Sequence, residues 1–287
     1  MMTPRIGGRS TASPFDYICQ SGSQSLRFPF NAQRGFYFFS ARYALAGGIQ
    51  ALGIKAGDNV LLPSYSCGVE IDPFIYYGIH PRFYRIGYDL KADLDDLRQR
   101  LTSRVKAVLV THFLGFPQPI EDIRRICEEK KVFLIEDCAH ALLSCHETRT
   151  LGTFGDIAIF SLLKTLPVPN GGLLVINNEN VSFDRQFVKP NCFASLYYLA
   201  DLWRQMTSSD SAISVIIEKI LTSLCWRCMN ALKLGIAVFY KIAGKKRLSL
   251  VRPDSFEFAP EIMDWNISSL STNLVNNTDL DRVKEAR

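Results

Sequence analysis

Four short stretches of this chain combine reactive side chains with turn-forming backbone. The first, Val132-Phe-Leu-Ile-Glu-Asp-Cys-Ala-His-Ala141, is an apolar run that ends in Glu136 and Asp137. One carboxylate emerging at the end of a buried strand can pair with a cationic nitrogen, and a protonated pyridine ring needs such a partner to keep its proton. The same acids can equally cap a following helix. The second, Gly155-Asp-Ile-Ala-Ile-Phe-Ser-Leu-Leu-Lys164, puts Lys164 just beyond another apolar run, three residues after Ser161. A lysine there forms a Schiff base if desolvation lowers its pKa, and otherwise snorkels to water. The third, Phe38-Phe-Ser-Ala-Arg-Tyr-Ala-Leu45, places Ser40, Ala41 and Arg42 where an aromatic run turns into a helix. Backbone N–H groups at such a start attract an anion, and phosphate fits well, although Ser40 can also be a plain N-cap. The fourth, Pro167-Val-Pro-Asn-Gly-Gly172, is a tight turn able to hold the lysine loop in place.

The elements that must carry these groups alternate along the chain. Phe36 to Leu52 opens with aromatics and reads on as a helix. Strands are expected at Asn59–Pro63, Pro81–Ile86, Lys106–Thr111, Val132–Asp137, Ile157–Ser161 and Gly172–Asn177. Helices are expected at Val69–Tyr77, Leu94–Leu101 and Pro119–Lys131. Strands that are continuous apolar runs separated by helices imply a mostly parallel sheet covered on both faces, an α/β class with right-handed crossovers. Ligands of such sheets bind outside the carboxyl ends of the strands, where Asp137, Ser161 and Lys164 stand.

After Glu179 the alternation stops. Residues 193–243 are rich in Leu, Ile, Tyr and Trp at helical spacing, which reads as a helical subdomain or partner-facing cover rather than a membrane-surface segment. The expected division is an N-terminal arm over 1–35, a core over 36–182, a helical insertion or cover over 183–260 and a C-terminal segment over 261–287. Asp279 to Arg287 reads as the opening of a charged helix without a C-cap, hence as the start of a truncated segment.

Composition excludes several classes. With 47% hydrophobic and 21% charged residues the chain can bury a core, so it is not a disordered protein. A run of about 18 uncharged residues, needed for a membrane span, does not occur, and the first residues contain no apolar stretch of a secretory signal. A cytoplasmic location with reduced cysteines is expected. The net charge of +5 is mild, and the densest basic group, Lys241, Lys245, Lys246, Arg247 and Arg252, reads as a solvated helix end, so nucleic acid is not an expected partner. Cys225-Trp-Arg-Cys228 is a lone CxxC at helical spacing, read as core packing. Cys138, His140, Cys145 and His146 are dense enough to suggest metal, but their spacing fits no standard zinc pattern, and no metal is expected.

Taken together, the stretches from Phe38 to Asn177 resemble the DegT/DnrJ/EryC1/StrS family of pyridoxal-phosphate (PLP) enzymes, sugar aminotransferases of fold type I. Gly57-Asp-Asn-Val-Leu-Leu-Pro-Ser-Tyr-Ser66, Thr111-His-Phe-Leu-Gly115, Glu136-Asp-Cys-Ala-His-Ala141, Gly155-Asp-Ile, Phe160-Ser161, Lys164 and Gly171-Gly172 carry the likeness. Met263-Asp-Trp-Asn266 is a weaker match. The resemblance implies the large domain of fold type I, with the small C-terminal domain largely absent. It implies Lys164 as the Schiff-base lysine, Asp137 as the pyridine-nitrogen partner and His140 near the ring's 3-oxygen. Ala41 and Arg42 match the backbone phosphate cup, and Ser161 its hydroxyl contact. Cys67 falls where the family usually stacks an aromatic on the ring, and neighbouring Tyr65 is the candidate substitute. Ser161 and Lys164 are three apart, where many relatives place the pair five apart; the distance from Lys164 to Gly171 matches.

The activity so implied is a transamination from an amino acid, with glutamate the expected donor, to a nucleotide-linked keto-sugar in polysaccharide or glycan biosynthesis, by a homodimer. Two alternatives are another PLP reaction on this fold and a degenerate non-catalytic scaffold. Family dehydratases carry histidine in place of the lysine, and Lys164 argues against that version. A Rossmann-type nucleotide domain is disfavoured, because no G-x-G-x-x-G follows a first strand.

Overall fold

In the computed structural model, residues 27–190 and 258–285 are described. Seven strands form one sheet in the order β1-β9-β8-β5-β4-β2-β3. They are β1 (Gly35–Phe38), β2 (Asn59–Pro63), β3 (His80–Tyr84), β4 (Val105–Thr111), β5 (Phe133–Asp137), β8 (Ile157–Ser161) and β9 (Gly172–Ile176). A short hairpin of β6 (Cys145–His146) and β7 (Arg149–Thr150) lies apart from it. The helices are α1 (Ala41–Ala51), α2 (Gly68–Tyr76), α3 (Leu94–Arg100), α4 (Ile120–Lys130), α5 (Ser269–Asn276) and α6 (Leu280–Glu285).

The sheet is parallel except for β9, which runs antiparallel to both β1 and β8. Its reversal follows from the short return after Lys164, too short for a helical crossover. The strands are apolar on both faces because both faces are covered. Val60, Leu62, Leu109, Ile135, Ile159 and Leu174 pack with Leu45 and Ile49 of α1 and Phe74 of α2. Their neighbours Leu61, Val108, Val110, Leu134, Phe160 and Val175 pack the opposite way, with Ile120, Ile123 and Ile126 of α4 and with Val275 and Val283 of α5 and α6. In α4 the buried isoleucines recur at helical spacing, and the helix stops at Lys131, whose backbone takes the left-handed conformation at φ 55°.

The aromatic opening of Phe36–Leu52 is a strand that turns into a helix, as its sequence reads: Gly35–Phe38 is an edge strand pairing with β9, and the helix starts at Ala41. Cys145 and His146, grouped above with Cys138 and His140, belong to the separate hairpin. No helix among the described residues is long and apolar enough to cross a membrane. The stretch 193–243, the Cys225/Cys228 pair and the basic group from Lys241 to Arg252 lie outside the described residues.

Close approach at one point of the fold positions the start of α1. Gly172 opens β9 in register with both Phe38 of β1 and Ser161 of β8. A Cβ on Gly172 would lie 2.2 Å from the Ser40 carbonyl carbon and 2.4 Å from the Ala41 nitrogen. These are backbone atoms and cannot rotate away. Gly172→Ala is therefore expected to displace the α1 start and to destabilise the fold by about 1–3 kcal/mol, measured by chemical denaturation.

Candidate active site at the carboxyl edge of the sheet

The parallel register brings the sequence-predicted groups to one edge. Asp137 is the last residue of β5 and pairs with Ile159, two residues before Ser161 ends β8. A 3-10 turn, Leu162–Lys164, then carries Lys164 out over that edge. Lys164 Nζ lies 3.0 Å from His140 Nε2. With Lys164 as the ammonium, Nζ–H donates and Nε2 accepts. Lys164 emerges on an exposed turn rather than inside the strand.

Glu136 and Asp137 are separated by strand alternation. Glu136 is fully buried, and its carboxylate accepts from the N–H groups of Gly152 (2.8 Å), Phe154 (2.6 Å) and Gly155 (2.5 Å). His112 Nε2 is 3.2 Å from the same group, while Gln118 N–H donates to His112 Nδ1. Nε2 therefore carries the ring proton and donates to Glu136. This acid pins the 152–155 loop and is committed to it. Glu136→Gln replaces one acceptor by an amide that cannot receive these N–H groups. It is expected to cost about 1–3 kcal/mol, seen as a lowered denaturation midpoint. Among the described residues, the possible metal ligands that converge are His112, Glu136 and Cys138, with ligand atoms within 4.8 Å of one another. The hydrogen bonds just described already engage the first two.

Asp137 is buried as well, but among the described residues one local donor serves it: Ala139 N–H, 2.8 Å from Oδ1. Burial pushes its carboxyl above the usual aspartate range, against the pull of the Ala139 bond and of the Lys164 charge. A carboxylate held in this way gains most when a cation is placed against it.

The α1 start completes the edge. Ser40 occupies the N-cap in extended conformation, yet its side chain makes no capping bond, so the plain N-cap reading of Ser40 fails. The first-turn N–H groups at Ala41 and Arg42 belong to the end of the helix that carries its positive dipole. Three contacts fix this start. Gly171 N–H donates to the Phe39 carbonyl at 3.0 Å, Phe39 N–H donates to the Trp265 carbonyl at 2.9 Å, and Gly172 abuts Ser40. The Met263–Asn266 motif thus touches the site through Trp265, whose ring also packs edge-on against Phe39. Asn170, in the Pro/Gly turn, is tied to α5 by bonds to Ser268 N–H (3.1 Å) and Ser271 Oγ (2.7 Å).

Cys67 is exposed at the N-cap of α2, beyond the end of β2. Tyr65 is 63% exposed and pairs with the Phe113 ring at 5.4 Å between centroids. Sequence reasoning missed Glu70 in the first turn of α2. Its carboxyl is pushed up to about 8, first by burial and then by the charge of Asp137, with Lys164 opposing. An acid in a helix's first turn is so common that nothing in the sequence marked this one.

Known proteins share this arrangement's sequence. GDP-perosamine synthase of Vibrio cholerae is 33% identical over 139 residues, 47% of this chain and 38% of that protein. The dTDP-4-dehydro-2,3,6-trideoxy-D-glucose 4-aminotransferase of Saccharopolyspora spinosa is 36% identical over 128 residues, 44% of this chain and 33% of that protein. The matches thus span well under half of these curated relatives. A solved structure from Streptococcus pneumoniae, named as a sugar aminotransferase in its PLP form, superposes with a TM-score of 0.51 at 19% identity, covering 58% of this chain and 50% of that one. That likeness shows the fold, an α/β sheet of fold type I. The family pattern itself matches residues 32–189, from the entry into β1 past Lys164 and Gly172. By that match the chain belongs to the DegT/DnrJ/EryC1/StrS aminotransferase family.

Proposed function

We propose that this chain forms the cofactor-binding part of a PLP-dependent aminotransferase that moves an amino group from an amino acid, with glutamate as donor, to a nucleotide-linked keto-sugar. The observation that carries the reading is the meeting of Lys164 and His140 at the strand edge where the buried Asp137 ends β5. The names of the relatives support the sugar-nucleotide acceptor. The edge fits the cofactor on its own features. A buried carboxylate with a raised pKa suits a pyridinium nitrogen. An amine at an exposed turn suits an aldehyde. A helix start with a glycine pressed against it leaves backbone where phosphate oxygens need donors.

When bound, PLP supplies the electron sink for the charge that develops as the donor's α-proton leaves. The chain's residues do the rest. The Ala41 and Arg42 backbone and the Ser161 hydroxyl hold the phosphate. Asp137 places its charge against the ring nitrogen and keeps that nitrogen protonated. Lys164 Nζ takes the α-proton and delivers it elsewhere on the donor–cofactor pair, a general base acting over a short reach. His140 Nε2 accepts from Nζ–H and aims the amine. Cys67, a small thiol where an aromatic would stack, and the neighbouring Tyr65 would border the ring. The active form is a cytoplasmic homodimer serving polysaccharide or glycan biosynthesis, its partner copy closing over the exposed Lys164.

Adding PLP to the full chain tests this reading. The expected result is a visible absorption band that glutamate bleaches and a nucleotide-linked keto-sugar restores. A chain that shows protein absorbance alone after incubation with PLP is a scaffold, and the proposal fails.

A further inference from the structure

The start of α2 carries a carboxyl group that the proposed reaction leaves unused. Glu70 lies in the first turn of α2, at the same carboxyl edge where Asp137 ends β5 and Lys164 follows β8. Its Oε2 is buried and has no hydrogen-bond partner among the described residues. A buried carboxylate oxygen without a donor is costly as an anion and tolerable in a neutral acid, whose hydroxyl can turn toward an acceptor.

The charged and titratable groups around Glu70 come from three other elements. Asp137 on β5 favours its protonation, and Lys164 after β8 opposes it. The Tyr84 hydroxyl at the end of β3 is close enough to feel the Glu70 charge, and it donates to the Leu109 carbonyl at 3.0 Å. Two carboxyl groups that feel each other's charge away from bulk water do not both ionise freely, so a proton stays with the pair. Asp137 is the better served of the two as an anion, by the Ala139 N–H as well as by the Lys164 charge. Among the described residues, Glu70 has Lys164 on that side of the balance.

We propose that Glu70 is a positioning residue of this site: standing as a neutral carboxylic acid beside Asp137 and Lys164, it keeps the pair's proton and leaves Asp137 as the carboxylate that carries charge. Its use to the enzyme rests on the PLP reading above, whereas its protonation is a property of the chain alone. A neutral Glu70 leaves one negative charge for the ring nitrogen and does not add a second to hold Lys164 as an ammonium. Ionising it in alkali places that second charge beside Asp137 and Lys164.

Infrared titration of the full chain without PLP tests the protonation. The wild type is expected to show the carbonyl stretch of a protonated acid at neutral pH, lost in alkali with a midpoint at about 8. Glu70→Gln should lack that titrating band. In Asp137→Asn the band should persist with its midpoint moved to lower pH, because the neighbouring negative charge is gone. With PLP loaded, Glu70→Gln should lose the alkaline transition in its absorbance that the wild type shows. A neutral-pH infrared spectrum identical in wild type and Glu70→Gln overturns the proposal. If Glu70→Gln does not fold, a wild-type band that fails to titrate, or a midpoint unmoved in Asp137→Asn, overturns it equally. A titrating band with no PLP adduct on Lys164 overturns the site reading and spares the protonation; an adduct without the band does the reverse.

Discussion

Lys164→Ala is expected to abolish covalent PLP capture and to lower transamination by about 10⁴-fold or more, the full range that a positioned general base contributes. The fold should survive, since the side chain stands on an exposed turn with His140 Nε2 at 3.0 Å as its described partner. Unchanged circular dichroism beside a lost visible band and lost turnover is the predicted combination. Turnover near that of the wild type would remove Lys164 from the chemistry. The size of the effect follows from the geometry. Among the described lysines, Lys164 follows a buried strand and meets an imidazole, whereas Lys106 is a strand residue and Lys130 and Lys131 close α4 in solvent.

Asp137→Asn should separate activity from stability. The substitution keeps the shape and removes the charge that holds a ring nitrogen protonated, so transamination is expected to fall at least about 10²-fold. Stability should move the other way. Burial raises the Asp137 pKa in the folded chain. A raised carboxyl pKa means that the folded state binds the proton more tightly than the unfolded one. The resulting stability is present at low pH and is lost as pH rises through the folded pKa. Glu70, raised to about 8, contributes with the same sign. The chain without cofactor should therefore lose stability between mildly acidic and mildly alkaline pH, and Asp137→Asn should flatten that slope and equal or exceed the wild type at alkaline pH. Denaturant midpoints across this range check the sign. A mutant less stable than the wild type in alkali would mean that Asp137 is a structural anion like Glu136.

That contrast between adjacent acids shows what the sequence could carry. The strand Phe133–Asp137 was legible from its apolar run, and so was the presence of a carboxylate at its end. Which acid was available was not, because the answer lies in three N–H groups of a loop some twenty residues on and in His112 from the neighbouring strand. Sequence spacing does not report such partners. The core strands and helices from Asn59 to Ile176 that the sequence marked were read to within a residue or two, since continuous apolar strands flanked by amphipathic helices leave few alternatives, whereas the short Cys145–Thr150 hairpin and the helix Ser269–Asn276 were not read. The direction of β9 was not readable, because apolar runs carry no direction and the short Pro/Gly return after Lys164 was seen only as a turn. Gly172 was seen as part of that turn, and its role as a spacer against Ser40 depends on a pairing with β1 more than 130 residues away in sequence. Glu70 escaped notice because the helix around it is ordinary; its isolation arises from Asp137, Lys164 and Tyr84, all distant in sequence.

The central claim is that Lys164 is the amine that takes the cofactor. Borohydride reduction of the PLP-treated chain, followed by peptide mapping, addresses it directly. Reduction makes the link permanent before the protein is digested, so the modified residue is identified whatever the turnover. The account predicts a single stoichiometric adduct on the peptide bearing Lys164, absent from Lys164→Ala. An adduct on another lysine, or no adduct at saturating PLP, would contradict it.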